Sequence, residues 1–358
     1  MMTPLNLSDR IRGSLLGGAV GDALGAPIEF MSLAEIRDRF GADGLTDYAS
    51  AYGRRGAITD DTQMTLFTAD GLLRGWVRAS ERGIGNPLVA IHRAYYRWLL
   101  TQGERPPTAI NAGRDGWLFQ VEDLHSRRAP GMTCLSALRE AEDLLSPEIA
   151  KNNSKGCGGV MRVAPIGLFA STIGADDRVF DMAAEAAALT HGHPTGFLAA
   201  GYLAVMIAAI LRGEDVAGGM EAADIYLQSK DGRGEVQRAV DTARELAARG
   251  RPSPEDIENL GGGWVAEEAL AIAVCAALVA RDFTDGVLLA VNHSGDSDST
   301  GAIAGNLLGA QLGVAAIPIA WLDELELRTE IERIACDLEM IGSGRIPSGR
   351  AWDGYPGW

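Results

Sequence analysis

The sequence is poor in the residues that build disulfide-linked or zinc-binding proteins. It has four cysteines and five histidines among 358 residues. The cysteines are Cys134, Cys157, Cys275 and Cys336, and none belongs to a Cys-x-x-Cys pair. This spacing predicts neither a disulfide framework nor a structural zinc site. The first residues also lack the basic segment and apolar core of a secretory signal. We therefore expect a protein of the reducing cytoplasm.

Positive charge is also scarce. The chain has 32 lysines and arginines against 48 aspartates and glutamates, a formal charge of −16. Non-specific binding to a nucleic-acid backbone needs clustered basic residues. The balance argues against that class of protein, although it leaves room for a nucleotide-like ligand in a local pocket.

Long apolar runs and β-branched runs are nearly absent. The longest apolar run, 197–211, is shorter than the roughly 20 residues that span a bilayer, so we predict a buried core helix and no membrane contact. Few segments alternate with the period of a strand. Helical spacing of apolar or alanine- and leucine-rich residues predicts an all-α fold. The predicted helices cover 66–77, 88–100, 182–189, 197–211, 236–248, 265–280 and 301–313.

Glycine, in contrast, recurs at every fourth residue in two segments. The two rows are Gly13, Gly17, Gly21 and Gly25, and Gly301, Gly305, Gly309 and Gly313. Each glycine inside a helix costs about 1 kcal/mol relative to alanine. A glycine face compensates by letting another backbone approach closely. We predict two closely packed helices, possibly packed on each other; the alternative is local loops or kinks.

An early acidic cluster, Thr59-Asp60-Asp61-Thr62, precedes a predicted helix. Taken alone, Thr59 suits a helix N-cap, and acids in the first turn suit the helix dipole. The same carboxylates and hydroxyls could also contact a cation.

A late acidic cluster is more specific. Asp296, Asp298 and Ser299 lie in Gly295-Asp296-Ser297-Asp298-Ser299-Thr300-Gly301. We expect the two aspartates to project to the same side of an extended loop, with Ser299 opening the next helix. An N-cap accounts for one acid but not for this whole group, and a calcium EF-hand loop with its closing glutamate is missing.

The two clusters together supply the oxygen ligands that Mg²⁺ or Mn²⁺ prefers. They lie far apart in sequence, and no low-complexity linker divides the chain. Their joint use predicts one compact domain, 1–358, with a two-metal site. We expect a monomer.

Three other features could line a site. Glu29 lies between Ile28 and Phe30, where a carboxylate is either a paired core acid or a functional group. The polar segment 152–162 contains a glycine loop that could hold an anion or form a plain turn, and it lacks the Walker A order. In His191-Gly192-His193 we expect a ligand-contacting or helix-capping histidine, because the other histidines do not have the spacing that would complete a zinc site.

Six motifs in this order closely resemble the ADP-ribosylglycohydrolase family. They are GDALGAPIEF, ITDDTQMT, NNSKGCGGVMRVAP, LTHGHP, GGGWVAEEALA and NHSGDSDSTGAIAGNLLGA. The resemblance runs from about residue 15 to residue 313, and no motif is assigned to the C-terminal tail 319–358. It implies an all-α single domain with a central cleft that holds two Mg²⁺ or Mn²⁺ ions.

The resemblance also implies a division of the ligands. One ion would be held by Thr59, Asp60, Asp61 and Asp298, and the other by Asp296, Asp298 and Ser299, so that Asp298 bridges. Some relatives have threonine in place of Ser299, which keeps the ligand oxygen. Candidates for the general base are Asp60, Asp61 and Glu29. The ADP-ribose cleft would be lined by Gly156, Cys157, Gly158, Gly159, Met161 and His191.

The implied reaction hydrolyses the bond between C1″ of the distal ribose and an acceptor, and it releases ADP-ribose. The expected partner is an ADP-ribosylated protein or a small molecule that contains ADP-ribose, with ADP-ribosylarginine as the first choice. Serine linkages, O-acetyl-ADP-ribose and modified nucleobases stay open as acceptors. A non-catalytic ADP-ribose-binding relative and a two-metal phosphoester hydrolase are the alternatives from other functional classes.

Overall fold

The computed structural model describes residues 5–105, 113–140, 147–346 and 348–357, and these are helical with no β-strand among them. The α-helices are α1 (Leu7–Gly25), α2 (Leu33–Phe40), α3 (Asp60–Arg82), α4 (Pro87–Thr101), α5 (Met132–Glu140), α6 (Ala164–Leu168), α7 (Ala170–Ile173), α8 (Asp176–Ala188), α9 (Pro194–Leu211), α10 (Val216–Leu227), α11 (Gly234–Ala248), α12 (Pro254–Ile257), α13 (Ala266–Val279), α14 (Phe283–Val291), α15 (Ser297–Leu312), α16 (Ile319–Glu324), α17 (Arg328–Gly342) and α18 (Ser348–Gly354). Short 3₁₀ helices are Leu118–Gln120, Glu122–Leu124, Cys157–Gly159, Glu258–Leu260 and Val314–Ala316.

The all-α prediction is confirmed, and each of the seven predicted segments falls on a helix. The segments correspond to α3, α4, α8, α9, α11, α13 and α15. Helical apolar spacing identified these because their buried faces are long and continuous.

Helix α9 is the apolar centre of the bundle. It is long and apolar enough to cross a membrane by length and composition alone, and 83% of it is buried inside the protein. Helices α8, α10 and α13 pack around it. A helix that is apolar on all sides is satisfied by such enclosure, so the predicted core helix is confirmed.

The two glycine rows pack directly on each other. A β-carbon built on Gly21 would lie 1.9 Å from the carbonyl oxygen of Gly301. The antiparallel pairing repeats along α1 and α15, with equivalent β-carbon to carbonyl-oxygen distances of 2.4 Å for Gly17 on Gly305 and 2.2 Å for Gly13 on Gly309. The prediction that the two helices pack on each other is confirmed. Backbone-to-backbone contact compensates for the low helix propensity of glycine.

Asp22, near the end of α1, fixes the start of α3. Its buried carboxylate accepts hydrogen bonds from the backbone N–H groups of Thr59, at 3.0 Å, and Thr62, at 3.1 Å. These donors belong to the free N–H groups at a helix start. The contact makes Asp22 a structural residue that ties the early acidic cluster to the glycine-paired helices.

The C-terminal tail also supports the early cluster. Helix α17 packs on α1 and α3, and α18 packs on α3. Just before α17, the buried Glu326 accepts a hydrogen bond from the Ile58 N–H at 3.0 Å and from Arg128 at 3.1 Å. The tail, to which the motifs assign no role, is therefore part of the same core and positions the residue that precedes Thr59.

Candidate active site

The acidic clusters meet in a cleft of about 350 Å³. Its walls come from the segment that follows α1, the starts of α3 and α15, the turn before α5 and the glycine loop. The lining residues are Glu29, Phe30, Asp60, Asp61, Ala129, Pro130, Gly131, Met132, Thr133, Gly156, Cys157, Gly158, Met161, His191, Trp264, Asp296, Asp298 and Ser299. The glycine-paired helices bring together carboxylates that are more than two hundred residues apart in the sequence.

The early cluster lies at the N-terminus of α3. Thr59 is the N-cap, and its hydroxyl accepts a hydrogen bond from the Asp61 N–H at 3.3 Å. Asp60 accepts a hydrogen bond from the Gly131 N–H at 3.3 Å. Asp61 points across the cleft and accepts the Ser299 hydroxyl at 2.9 and 3.0 Å to its two oxygens. Thr59 is thus a helix cap, as its sequence position indicated, and it lies beneath the lining of the cleft.

The late cluster is helical, so the expected extended loop is wrong. Asp296 is the N-cap of α15, and the helix begins at Ser297. The Ser299 N–H donates to Asp296 at 3.3 Å and to Asp298 at 3.0 Å. An aspartate cap with two further polar residues in the first turn satisfies free backbone donors, which makes the helix begin earlier than expected.

Burial and mutual repulsion make these carboxylates difficult to ionise. Burial, followed by the negative charge of Asp298, raises the pKa of Asp60, Asp61 and Asp296 well above the ordinary carboxyl range. The same two causes, in the same order, raise the pKa of Glu29 to about 10. Asp298 is the charge that the other four groups share, which places it at the electrostatic centre.

In the part of the chain that the structure describes, no basic side chain forms an ion pair with this cluster. Among the ion pairs of the described residues, none involves Glu29, Asp60, Asp61, Asp296 or Asp298. Two helix N-termini, those of α3 and α15, direct partial positive charge toward the carboxylates. This partial charge is smaller than the charge that the five carboxylates carry when they ionise, so an added cation would favour their ionised form.

The ligand atoms that the cleft offers are of the type that a hard divalent cation prefers. They are carboxylate and hydroxyl oxygens, the ligands that Mg²⁺ and Mn²⁺ prefer. Within the described ranges, however, no three acidic, thiol or imidazole groups already converge as a metal-binding set. The Ser299 hydroxyl donates to Asp61, and the Cys157 thiol donates to Asp296 at 2.8 Å. Cation binding requires these two donors to turn away from the carboxylates.

The glycine loop forms one wall of the cleft, with one exception. Gly156, Cys157, Gly158 and Met161 line it. Gly159 does not line it. A β-carbon built on Gly159 would lie 3.0 Å from the β-carbon of Ala187 and 3.1 Å from the Gly196 carbonyl oxygen, so this side of the residue packs against neighbouring helices. The expectation that Gly159 lines the cleft is therefore corrected. Its lack of a side chain serves close packing against α8 and α9.

The two neighbouring histidines have different roles. His191 lines the cleft, and its Nδ1 lies 2.8 Å from the Thr190 hydroxyl. His193 is the N-cap of α9 and accepts the Thr195 N–H at 3.2 Å. Both roles, ligand contact and helix capping, were open for this motif; the structure shows that His193 is the cap and that His191 lines the cleft.

An aromatic pair at the mouth of the cleft escaped the sequence analysis. Phe30 and Trp264 stack with ring centroids 5.2 Å apart, and they remain 70% and 42% exposed. Phe30 also has a left-handed backbone, with φ of 69°. Such strain on an exposed aromatic residue is typical of functional positions. The signal in the sequence was the position of Trp264, a large aromatic residue directly after Gly261-Gly262-Gly263.

The chain is similar to known proteins over nearly its whole length. The family model described as ADP-ribosylglycohydrolase matches residues 3–346. The chain is 27% identical to ADP-ribosyl-dinitrogen reductase glycohydrolase from Rhodospirillum rubrum, over 92% of this chain and 95% of that one. It is 25% identical to ADP-ribosylarginine hydrolase Tri1 from Pseudomonas putida, over 94% and 80%. A solved structure titled ADP-ribosylglycohydrolase-related protein complex superposes with a TM-score of 0.64 at 27% identity, covering 94% of this chain and 99% of that one. The protein therefore belongs to the ADP-ribosylglycohydrolase family, whose members are enzymes that act on ADP-ribosylated proteins.

Proposed function

We propose that this protein is a divalent-cation-dependent hydrolase that removes ADP-ribose from a modified arginine side chain. The observation that carries the proposal is the convergence of four buried carboxylates at the starts of α3 and α15 with the half-buried Glu29, without a basic partner in the described residues. Two relatives whose names specify ADP-ribosyl-protein or ADP-ribosylarginine hydrolysis support the choice of substrate.

Two Mg²⁺ or Mn²⁺ ions are the proposed cofactors. One would be held by Thr59, Asp60, Asp61 and Asp298, and the other by Asp296, Asp298 and Ser299. When bound, they would supply positive charge that orients the hydroxyls of the distal ribose and makes a water molecule a stronger nucleophile. The central position of Asp298 supports its assignment as the shared ligand.

Glu29 is the best placed group for proton transfer. Hydrolysis forms a bond from a water oxygen to C1″ and breaks the bond from C1″ to the guanidino nitrogen. A water proton must reach a carboxylate, and the leaving nitrogen must gain a proton. Asp60 and Asp61 are held by Gly131 and Ser299. Glu29 lies in the cleft, and no hydrogen bond ties its side chain to another described residue. Bound cations would lower its raised pKa and leave a carboxylate that can accept the water proton.

The mouth of the cleft favours arginine as the acceptor. A guanidinium is planar and positively charged, and it stacks well on aromatic rings. The exposed Phe30–Trp264 pair offers such a surface directly above an acidic interior. A serine acceptor has neither the charge nor the flat shape that this arrangement recognises.

A substrate panel tests the function. Purified protein with Mg²⁺ or Mn²⁺ is incubated with arginine-linked and serine-linked ADP-ribosyl peptides, and products are separated by chromatography. We expect free ADP-ribose, with kcat/KM higher for the arginine linkage by about 10-fold or more. Release of AMP or phosphate would instead indicate a phosphoester hydrolase. Binding without turnover would indicate an ADP-ribose reader, and faster serine release would overturn the choice of acceptor.

Cation binding has its own expected result, independent of catalysis. Mg²⁺ or Mn²⁺ should raise the thermal unfolding midpoint, because an ion that binds the folded state at a hundredfold excess over Kd stabilises it by about 2.7 kcal/mol. Asp298→Asn should abolish the increase, whereas Asp215→Asn, at the N-cap of the distant α10, should retain it. An equal increase in wild type and Asp298→Asn, measured by calorimetry, would place the ions elsewhere.

A further inference from the structure

We propose that Arg162 and Thr190 form a relay that fixes His191 as an Nε2–H donor aimed at an anionic oxygen of ADP-ribose. The three side chains are connected by short contacts. Arg162 Nη2 donates to the Thr190 hydroxyl oxygen at 2.7 Å, and that oxygen lies 2.8 Å from Nδ1 of His191. The assignment of the ligand rests on the function proposed above, while the relay itself is a property of the folded chain.

Arg162 is a buried cation whose charge is directed at this relay. It is fully buried, and no ion pair in the described part of the chain involves it. Its other contacts are weak or neutral. They are the Ala186 carbonyl oxygen at 3.2 Å, the sulfur atoms of Cys134 and Met64 at 3.3 and 3.5 Å, and the face of Tyr95 at 4.2 Å. A buried charge without a counter-ion is costly, so its retention indicates a role beyond packing.

The relay determines which nitrogen of His191 carries the proton. The Thr190 hydroxyl has one proton, and its two possible acceptors are Nδ1 of His191 at 2.8 Å and the Ala187 carbonyl at 3.3 Å. A guanidinium that donates to the hydroxyl oxygen makes that hydroxyl a stronger donor and a poorer acceptor. The proton therefore goes to the nearer acceptor, Nδ1, and the neutral ring carries its own proton on Nε2.

The ring is held in its neutral form by the same surroundings. Burial, and secondarily the charge of Arg162, lowers the pKa of His191 to about 3. At neutral pH the imidazole is therefore uncharged and has a single N–H to donate.

Nε2 faces the cleft through the space that two glycines leave open. A β-carbon on Gly156 would lie 3.3 Å from Nε2, and one on Gly158 would lie 3.4 Å from it. No hydrogen bond within the described ranges engages Nε2. An acceptor oxygen that approaches this glycine wall therefore meets a fixed donor. The diphosphate of ADP-ribose supplies such oxygens.

The relay can be tested by ¹⁵N NMR of the full-length protein saturated with Mg²⁺. In the free wild type, we expect a protonated Nε2 and an unprotonated Nδ1 for His191. Addition of ADP-ribose should shift the Nε2–H signal. Thr190→Val should remove the tautomer preference and weaken ADP-ribose binding about tenfold. Thr190→Ser, which keeps the hydroxyl, should show the wild-type tautomer and the wild-type affinity.

The outcomes separate the relay from the proposed function. A proton on Nδ1 in the free wild type would overturn the relay, even if the enzyme is fully active. The expected tautomer with no response to ADP-ribose would overturn the ligand assignment. If Thr190→Val does not fold, Thr190→Ala compared with Thr190→Ser provides the same test. If the variant that keeps the hydroxyl and the variant that lacks it have the same tautomer and the same affinity for ADP-ribose, Thr190 is merely structural.

Discussion

Asp298→Ala is expected to reduce ADP-ribose release by about 10³-fold or more, which is the scale of losing a cation-based or proton-transfer contribution. The reason is the position of Asp298: its charge acts on Asp60, Asp61, Asp296 and Glu29. Asp61→Ala should have a similar effect, because Asp61 and Ser299 form the contact between the two clusters. Steady-state kinetics with an arginine-linked ADP-ribosyl peptide measures the loss.

Stability separates this catalytic effect from misfolding. In cation-free buffer, Asp298→Ala should unfold at the same temperature as wild type or higher, because the substitution relieves repulsion among buried carboxylates. Asp215→Ala is the matched control, since it also removes a helix-terminal aspartate; it should lose about 1 kcal/mol of stability and keep full turnover. Normal turnover by folded Asp298→Ala and Asp61→Ala would rule out the assigned site.

Gly21→Ala is expected to destabilise the fold by more than about 4 kcal/mol, the range that accompanies severe overpacking of a core. The added β-carbon would lie 1.9 Å from the Gly301 carbonyl oxygen, and a backbone atom of a buried helix has little freedom to move. The change should also disturb the cleft, because Asp22 and Asp298 lie directly beyond this contact. Urea denaturation followed by circular dichroism measures the cost.

The matched control is the same substitution in an exposed helix. Gly234→Ala, at the start of α11, meets only the flexible end of Arg238 at 3.3 Å. It should leave the stability unchanged or raise it by up to about 1 kcal/mol. If Gly21→Ala were as harmless as Gly234→Ala, the glycine rows would not be responsible for the close approach of α1 and α15.

Local patterns predicted much of this architecture. Apolar spacing located the long helices, and the glycine rows indicated the α1–α15 contact, because a repeated costly residue needs a compensating interaction. The acids were recognisable as a pair of clusters, since a helix cap explains one carboxylate but not the whole late group. The family resemblance then assigned them to a common site.

Long-range partners could not be predicted in the same way. Phe30 and Trp264 stack although they are distant in sequence, and nothing local marks either as the other's partner. The Arg162–Thr190 contact depends on how the segment before α6 packs on α8. The sequence of the late aspartates fits both a loop and a capped first turn, and only the hydrogen bonds that the Ser299 N–H donates decide for the helix.

The pairing of α1 with α15 also determines how early during synthesis the fold can be completed. Helix α1 is synthesised well before α15, and its glycine face is a poor helix former without that partner surface. Such a long-range contact is slow to form, and it closes after most of the bundle has been translated. Because the same contact joins the two acidic clusters, a chain in which α15 has not yet been made lacks the assembled cleft, and the site is completed together with the fold.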